Sequence, residues 1–217
     1  MADFAKQRLT MVDTQVRPSD VTNFPIIDAM LAVPREEFVP NARRELAYVG
    51  GPLEIAPGRA LLDPRTIAKM LDAGNLRPGD AVLEIGCGLG YTTALLAHIV
   101  DAVVAVEEDE ALAAEAEATL GAQGIDNAAI VTGPLAEGHA KAGPYDAIMI
   151  FGGVEELPPA LIDQVKDGGR IVAIFMNGQN GEAMEGLKSD GRMSWRMAFN
   201  ATADILPGFA RAESFTF

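Results

Sequence analysis

The run Glu84-Ile85-Gly86-Cys87-Gly88-Leu89-Gly90 constrains the fold more than any other stretch of this chain. A short apolar segment, Ala81–Ile85, precedes it, and residues 91–100 follow with the composition of a helix. Glycines are needed where a chain turns sharply and where a ligand must come close to the backbone. A strand, a glycine turn and a helix in that order belong to a parallel sheet. The turn then lies at the carboxyl end of the strand, where such sheets bind ligands. Dinucleotide folds space these glycines G-x-G-x-x-G, which would require glycine at position 91, where Tyr91 stands instead.

The strand–helix alternation continues downstream. Residues 102–106 read as a second apolar strand and residues 109–123 as an alanine- and glutamate-rich helix closed by Gly124. Residues 128–131, 147–151 and 170–175 supply three more strands, with a helix at 159–166 between the last two. This pattern predicts the α/β class, a doubly wound, mainly parallel sheet with helices on both faces. Residues 193–200 and 212–217 alternate and are aromatic, which predicts antiparallel C-terminal strands. Upstream, residues 1–75 read as a helical extension. Leu9, Val12 and Val16 recur at helical spacing, a helix suits residues 24–31, and Pro34, Pro40, Pro52, Pro57 and Pro64 leave room only for short elements. A further helix over residues 64–73 is expected, with Asp63 as N-cap, Pro64 at its first position and Gly74 past its end. A length of 217 residues suits one domain, residues 1–75 forming the extension and residues 76–217 the core.

Charge narrows the partners. With 31 acidic against 17 basic residues the formal net charge is -14, a surface that repels phosphate backbones, and no run of Lys and Arg offsets it. Nucleic acid is therefore not an expected partner. The first ten residues lack the apolar stretch of a signal peptide, and no apolar run reaches membrane-spanning length, so a cytoplasmic protein is expected. Cys87 is the sole cysteine, which excludes an intrachain disulfide; with only His98 and His139 beside it, no metal site is expected. Cys87 reads as a small residue in a tight loop, and the two histidines as ordinary surface or packed side chains. Trp195, Phe199, Phe209, Phe215 and Phe217 read as core aromatics.

An acid two residues ahead of G-x-G-x-G resembles the first motif of class I methyltransferases, which bind S-adenosylmethionine. The resemblance implies that Glu84 lies near the amino-acid part of the cofactor and that Gly86, Cys87, Gly88, Gly90 and Tyr91 pass beneath its methionine portion. Glu107, at the end of the second strand, is placed to accept from both ribose hydroxyls. Glu108, Asp109 and Glu110 have a simpler account as acids opening a helix, where the helix dipole favours them.

The likeness extends further. Met11-Val12-Asp13-Thr14-Gln15-Val16-Arg17, Ala29-Met30, Val33-Pro34-Arg35-Glu36-Glu37-Phe38-Val39-Pro40, and Tyr48 with Pro52-Leu53 resemble the protein-L-isoaspartate O-methyltransferases. So do Val82 through Tyr91, Pro144-Tyr145-Asp146-Ala147-Ile148 and Gly168-Gly169-Arg170, in the same order, over roughly residues 10–175. The family implies carboxyl methylation of isoaspartyl residues in damaged proteins or peptides.

Some positions depart from the family pattern. Its T-I-S-x-P segment aligns with Ala60-Leu61-Leu62-Asp63-Pro64, so Leu62 stands where a hydroxyl is expected. Gly50 replaces the acid of Y-x-D-x-P, Gly133-Pro134-Leu135 replaces the G-D-G beside the adenine, and Glu182 aligns with a late glutamine. Gly133 and Leu135 are thus the adenine-side candidates, and Leu61, Leu62 and Asp63 the acceptor-side candidates. Asp63 has the competing role of helix cap. Arg35 is open between orienting an acidic substrate and pairing with a neighbouring carboxylate. A carboxylate acceptor is already nucleophilic, so no proton-transfer residue is assigned. Two other readings stay open: a methyltransferase with another, small-molecule acceptor, and a non-catalytic cofactor-binding homologue.

Overall fold

The computed structural model describes residues 3–211. In the extension, α1 (Phe4–Met11) runs on into a π-helical turn at Val12–Val16 and is followed by α2 (Phe24–Ala32). Val12 and Val16 are buried as their spacing requires, whereas Leu9 is half exposed and faces outward. Two short 3-10 turns, Arg35–Phe38 and Asn41–Leu46, lead to a hairpin of β1 (Leu53–Ala56) and β2 (Arg59–Leu61). The sequence reading contains no strand here. Pro52 and Pro57 bracket only a few residues, too short for strand periodicity to register.

Helix α3 (Pro64–Gly74) starts as its caps dictate: the Asp63 carboxylate accepts from the Thr66 N–H at 2.9 Å, and Pro64 fills the first position. The helix takes in Gly74, and the left-handed residue that ends it is Asn75, one later than expected. Ile67, Ala68, Met70 and Leu71 form its buried stripe.

The core follows as β3 (Ala81–Ile85), α4 (Tyr91–Ile99), β4 (Ala102–Glu107), α5 (Glu110–Ala122), β5 (Ala128–Thr132), β6 (Tyr145–Val154), α6 (Pro159–Asp163) and β7 (Val165–Asn177). After these come β8 (Asn180–Ser189) and β9 (Arg192–Asn200). Among the described residues they form a seven-stranded sheet in the order β5-β4-β3-β6-β7-β8-β9. The first five pair parallel, and β7, β8 and β9 form an antiparallel meander. The α/β class and the doubly wound arrangement are as read from sequence. Strand β8 is absent from that reading, since Asn180-Gly181-Glu182 and Lys188-Ser189 hide its alternation. The second strand expected there, residues 212–217 with Phe215 and Phe217, lies outside the described residues.

Period-two alternation divides the core into two layers. Val82, Ala147, Met149, Val172 and Ile174 pack with the extension helices, α3 and α4 on one face. Leu83, Ile85, Ile148, Ile150, Ile171 and Ala173 pack on the other with Leu161, Leu206 and Phe209. Strand order reverses at β3, which lies between β4 and β6. The crevice at the carboxyl ends of β3 and β6 is therefore the topological switch point, where such sheets bind ligands.

Candidate active site

A cavity of about 640 Å³ opens at that switch point. The glycine loop forms its floor. Gly86 and Gly88 hold φ values of 76° and 57°, a region that disfavours side chains. A Cβ on Gly88 would also meet Ile55 Cδ1 at 2.5 Å, and one on Gly86 would meet Leu206 Cδ1 at 3.1 Å. The β1–β2 hairpin and the tail after β9 thus both close over the loop. Leu206 is anchored there because its N–H donates to the Gly153 carbonyl at 2.9 Å.

Of the sequence-derived candidates, Gly86, Cys87, Gly88, Tyr91, Leu61 and Leu62 line the cavity. Glu84 does not. It is fully buried beneath the loop, where both carboxylate oxygens accept hydroxyl hydrogen bonds, from Thr92 and, at 2.6 Å, from Thr93. Burial pushes its pKa up to about 7, against the pull of those two hydrogen bonds and with a further push from the charge of Glu107. Thr92, not Glu84, reaches the cavity wall. Gly90 lies against Ala116 of α5 and serves helix packing. Gly133 donates its N–H to the Glu107 carbonyl at 3.0 Å, and Leu135 is buried in the second core layer; neither lines the cavity. Asp63 is spent on its cap.

Glu107 stands at the end of β4, as its position in the sequence requires, and is wholly buried. It accepts from the N–H of Gly88 at 2.7 Å and of Glu108 at 2.9 Å. Its two oxygens also take a bidentate fork from Arg59, Nη1 and Nη2 each at 2.7 Å. Burial works against the Arg59 charge, but the hydrogen bonds and charge of Glu107 more than offset this and hold its pKa above the ordinary value. Arg59 is absent from the sequence reading. The only available signal is a lone arginine in a short hairpin whose one other charged residue is Glu54.

Arg35 forms no ion pair with a carboxylate among the described residues and does not line the cavity. It is 1% exposed, donates from Nε to the Ala47 carbonyl and from Nη2 to the Leu62 carbonyl, both at 2.7 Å, and lies 4.8 Å from the centre of the Tyr91 ring. Its Nη1 and the Tyr91 hydroxyl have no partner among the described residues. Cys87 is buried, and burial pushes its thiol well above the ordinary range, so it is a poor nucleophile. Phe151, Gly152, Met176, Gln179 and residues 202–206 complete the wall, and sequence reasoning named none of them for the site. They come from strand ends and a tail that meet only in the fold. The aligned Glu182 is exposed on β8, outside the cavity. No group of three or more His, Cys, Asp or Glu among the described residues is placed to hold a metal ion. No helix there is long and apolar enough to cross a membrane.

The sheet order and the glycine loop at the switch point define the class: a Rossmann-like, class I methyltransferase fold. A sequence model of the protein-L-isoaspartate(D-aspartate) O-methyltransferase family matches residues 7–200, and the chain belongs to that family. A protein-L-isoaspartate O-methyltransferase of Syntrophus aciditrophicus (strain SB) is 42% identical over 172 residues, 79% of this chain and 79% of the relative. One from Methanoculleus marisnigri (strain ATCC 35101 / DSM 1498 / JR1) is 35% identical over 188 residues, covering 87% and 86%. A solved protein-L-isoaspartate O-methyltransferase superposes with a TM-score of 0.80 at 25% identity, over 94% of this chain and 65% of that one. A Plasmodium falciparum candidate of the same family, in complex with S-adenosyl-L-homocysteine, shares the fold with a TM-score of 0.79 at 20% identity, over 95% and 99%.

Proposed function

We propose that this chain is an S-adenosylmethionine-dependent carboxyl methyltransferase acting on isoaspartyl residues of damaged proteins or peptides. The observation that carries the reading is the strand-end carboxylate of Glu107, wholly buried and hydrogen-bonded to the glycine loop at Gly88, in a member of this family. That donor and acceptor set fits the cofactor. Gly86, Cys87 and Gly88 would lie under its methionine portion, and Glu107 would accept from its ribose. When bound, S-adenosylmethionine supplies a methyl group on a sulfonium, which leaves by in-line displacement.

The chain itself contributes position and exclusion of water. Phe38, Leu61, Leu62, Phe151 and Met176 give the acceptor side an apolar wall, against which a carboxylate loses its water and meets a cation more strongly. Arg35 fixes the backbone of Leu62 from behind. No side chain is required to take a proton, because the acceptor is ionised at neutral pH. The extension and the core work as one domain: Met11, Val16, Met30 and Phe38 share one apolar cluster with Val82, Met149 and Val172 of the sheet. Cytoplasmic residence and a peptide partner accord with this reading.

A second reading is favoured by one observation. Leu61 and Leu62 put two aliphatic side chains at the acceptor wall, where a family member offers a hydroxyl, and this suits a greasier, small-molecule acceptor. Methyl incorporation separates the two. Labelling of an isoaspartyl peptide as a base-labile ester supports the first reading, and labelling of small carboxylic acids alone supports the second.

A further inference from the structure

Arg59 occupies the hydrogen-bonding edge of Glu107 that a ribose would need. Its fork takes both carboxylate oxygens at 2.7 Å, and the remaining capacity of Glu107 goes to the backbone N–H groups of Gly88, Glu108 and, at 3.2 Å, Asp109. The guanidinium also lies over the first glycine, with Nη2 3.5 Å from where a Gly86 Cβ would stand. A side chain so placed and a ribose cannot both use this carboxylate.

We propose that Arg59 is a built-in competitor for the cofactor's ribose, and that binding exchanges the guanidinium for two hydroxyls on Glu107. The inference rests on the cofactor reading above. The exchange is balanced in charge: Glu107 stays ionised, neutral hydroxyls replace the cation as donors, and Arg59 moves toward water and toward Asp109, whose charge already acts on it. Arg59 opens strand β2, which ends at Leu61 just before Leu62 of the acceptor wall, while Ile55 of the paired strand β1 rests on Gly88. Withdrawing Arg59 therefore shifts the hairpin that shapes the acceptor side. Cofactor occupancy and acceptor geometry are linked through one short element.

A competitor lowers apparent affinity by the stability of the contact it must give up. Titration calorimetry with S-adenosylhomocysteine on wild type, Arg59→Met and Arg59→Lys reads this directly, without activity. Arg59→Met keeps the stem and removes the fork, and should bind at least about tenfold more tightly than wild type. Arg59→Lys keeps the charge but not the bidentate geometry, and should tighten binding by a smaller factor, about threefold. Without ligand, the melting temperature of Arg59→Met should fall, because Glu107 loses its cation. Should Arg59→Met fail to fold, the lysine variant decides alone. Equal or weaker binding by the folded variants than by wild type overturns the inference and makes Arg59 part of the site, with the cofactor reading intact. No binding by any of the three at millimolar ligand overturns the cofactor reading, and this inference with it.

Discussion

Arg35 Nη2 donates to the main-chain carbonyl of Leu62 at 2.7 Å, across 27 positions of sequence and entirely inside the protein. The bond joins the Val-Pro-Arg block of the extension to the wall of the cavity. Burial lowers the Arg35 pKa against the support of Tyr91 and Asp63, so the protein bears a desolvation cost to keep a charged side chain here. The return is a fixed acceptor wall.

Replacing Arg35 by Met should cost about 3 kcal/mol, because the carbonyls of Ala47 and Leu62 are left buried without donors. Thermal unfolding should show a midpoint lower by on the order of 10 °C. Arg35→Lys restores one donor at most and should recover only part of this. An unchanged midpoint in Arg35→Met would show that water satisfies the two carbonyls.

Glu84 predicts a pH dependence of stability. Its folded pKa of about 7 lies above the ordinary value of 4.5, so the folded state holds a proton that the unfolded chain has lost in that interval. The contribution is fully present below about pH 4.5 and is lost as pH rises through about 7, amounting to about 3 kcal/mol. Denaturant unfolding of wild type and Glu84→Gln from pH 5 to pH 8 should show the variant gaining relative stability as pH rises. Parallel curves would mean that Glu84 is ionised throughout.

Gly88→Ala should lower stability by about 1–2 kcal/mol, through the positive φ alone. Ile55 must also move to admit the methyl group. Because Ile55 and Arg59 share the hairpin, cofactor affinity should change as well. Calorimetry and thermal melts on the variant measure both effects, and a variant indistinguishable from wild type would show the loop to be loosely held.

Glu107 and Glu108 should separate sharply. Glu107→Ala removes the ribose acceptor and strands Arg59 in a buried position, so it should weaken cofactor binding by at least about tenfold and also destabilise the fold. Glu108→Ala should do neither. Equal effects would remove the special status of the strand end.

The fold was legible because it is written in local patterns. Ala81–Ile85 is an apolar run too short for a helix, Asp63 and Pro64 announce α3, and Gly124 closes α5. Glu107 was legible for the same reason, since the strand end and the helix after it fix its place. The missing parts depend on tertiary contact. Arg59 is one arginine in a three-residue strand, and nothing nearby in sequence says that its partner lies 48 positions away. The sequence alone points Glu84 toward the ligand, yet Thr92 and Thr93, in the first turn of α4, hold it below the loop. Leu206 reaches Gly86 only because the tail pairs with Gly153.

The departures at the acceptor wall also carry an expectation. Ala60→Thr, Leu61→Ile and Leu62→Ser together restore a hydroxyl near the incoming carboxylate, and a hydrogen bond to a charged group is worth about 1.5–3 kcal/mol. Turnover of an isoaspartyl peptide should rise by about tenfold or more. A fall would mean that the leucines are matched to the true acceptor.

The central claim is carboxyl methylation of isoaspartyl residues, and a labelled-methyl transfer assay tests it most directly. Wild-type protein is incubated with methyl-labelled S-adenosylmethionine and either an isoaspartyl peptide or its normal aspartyl twin, and base-released label is counted. The account predicts base-labile label on the isoaspartyl peptide and none on its twin. No label on either peptide, from a preparation that binds S-adenosylhomocysteine, would contradict it.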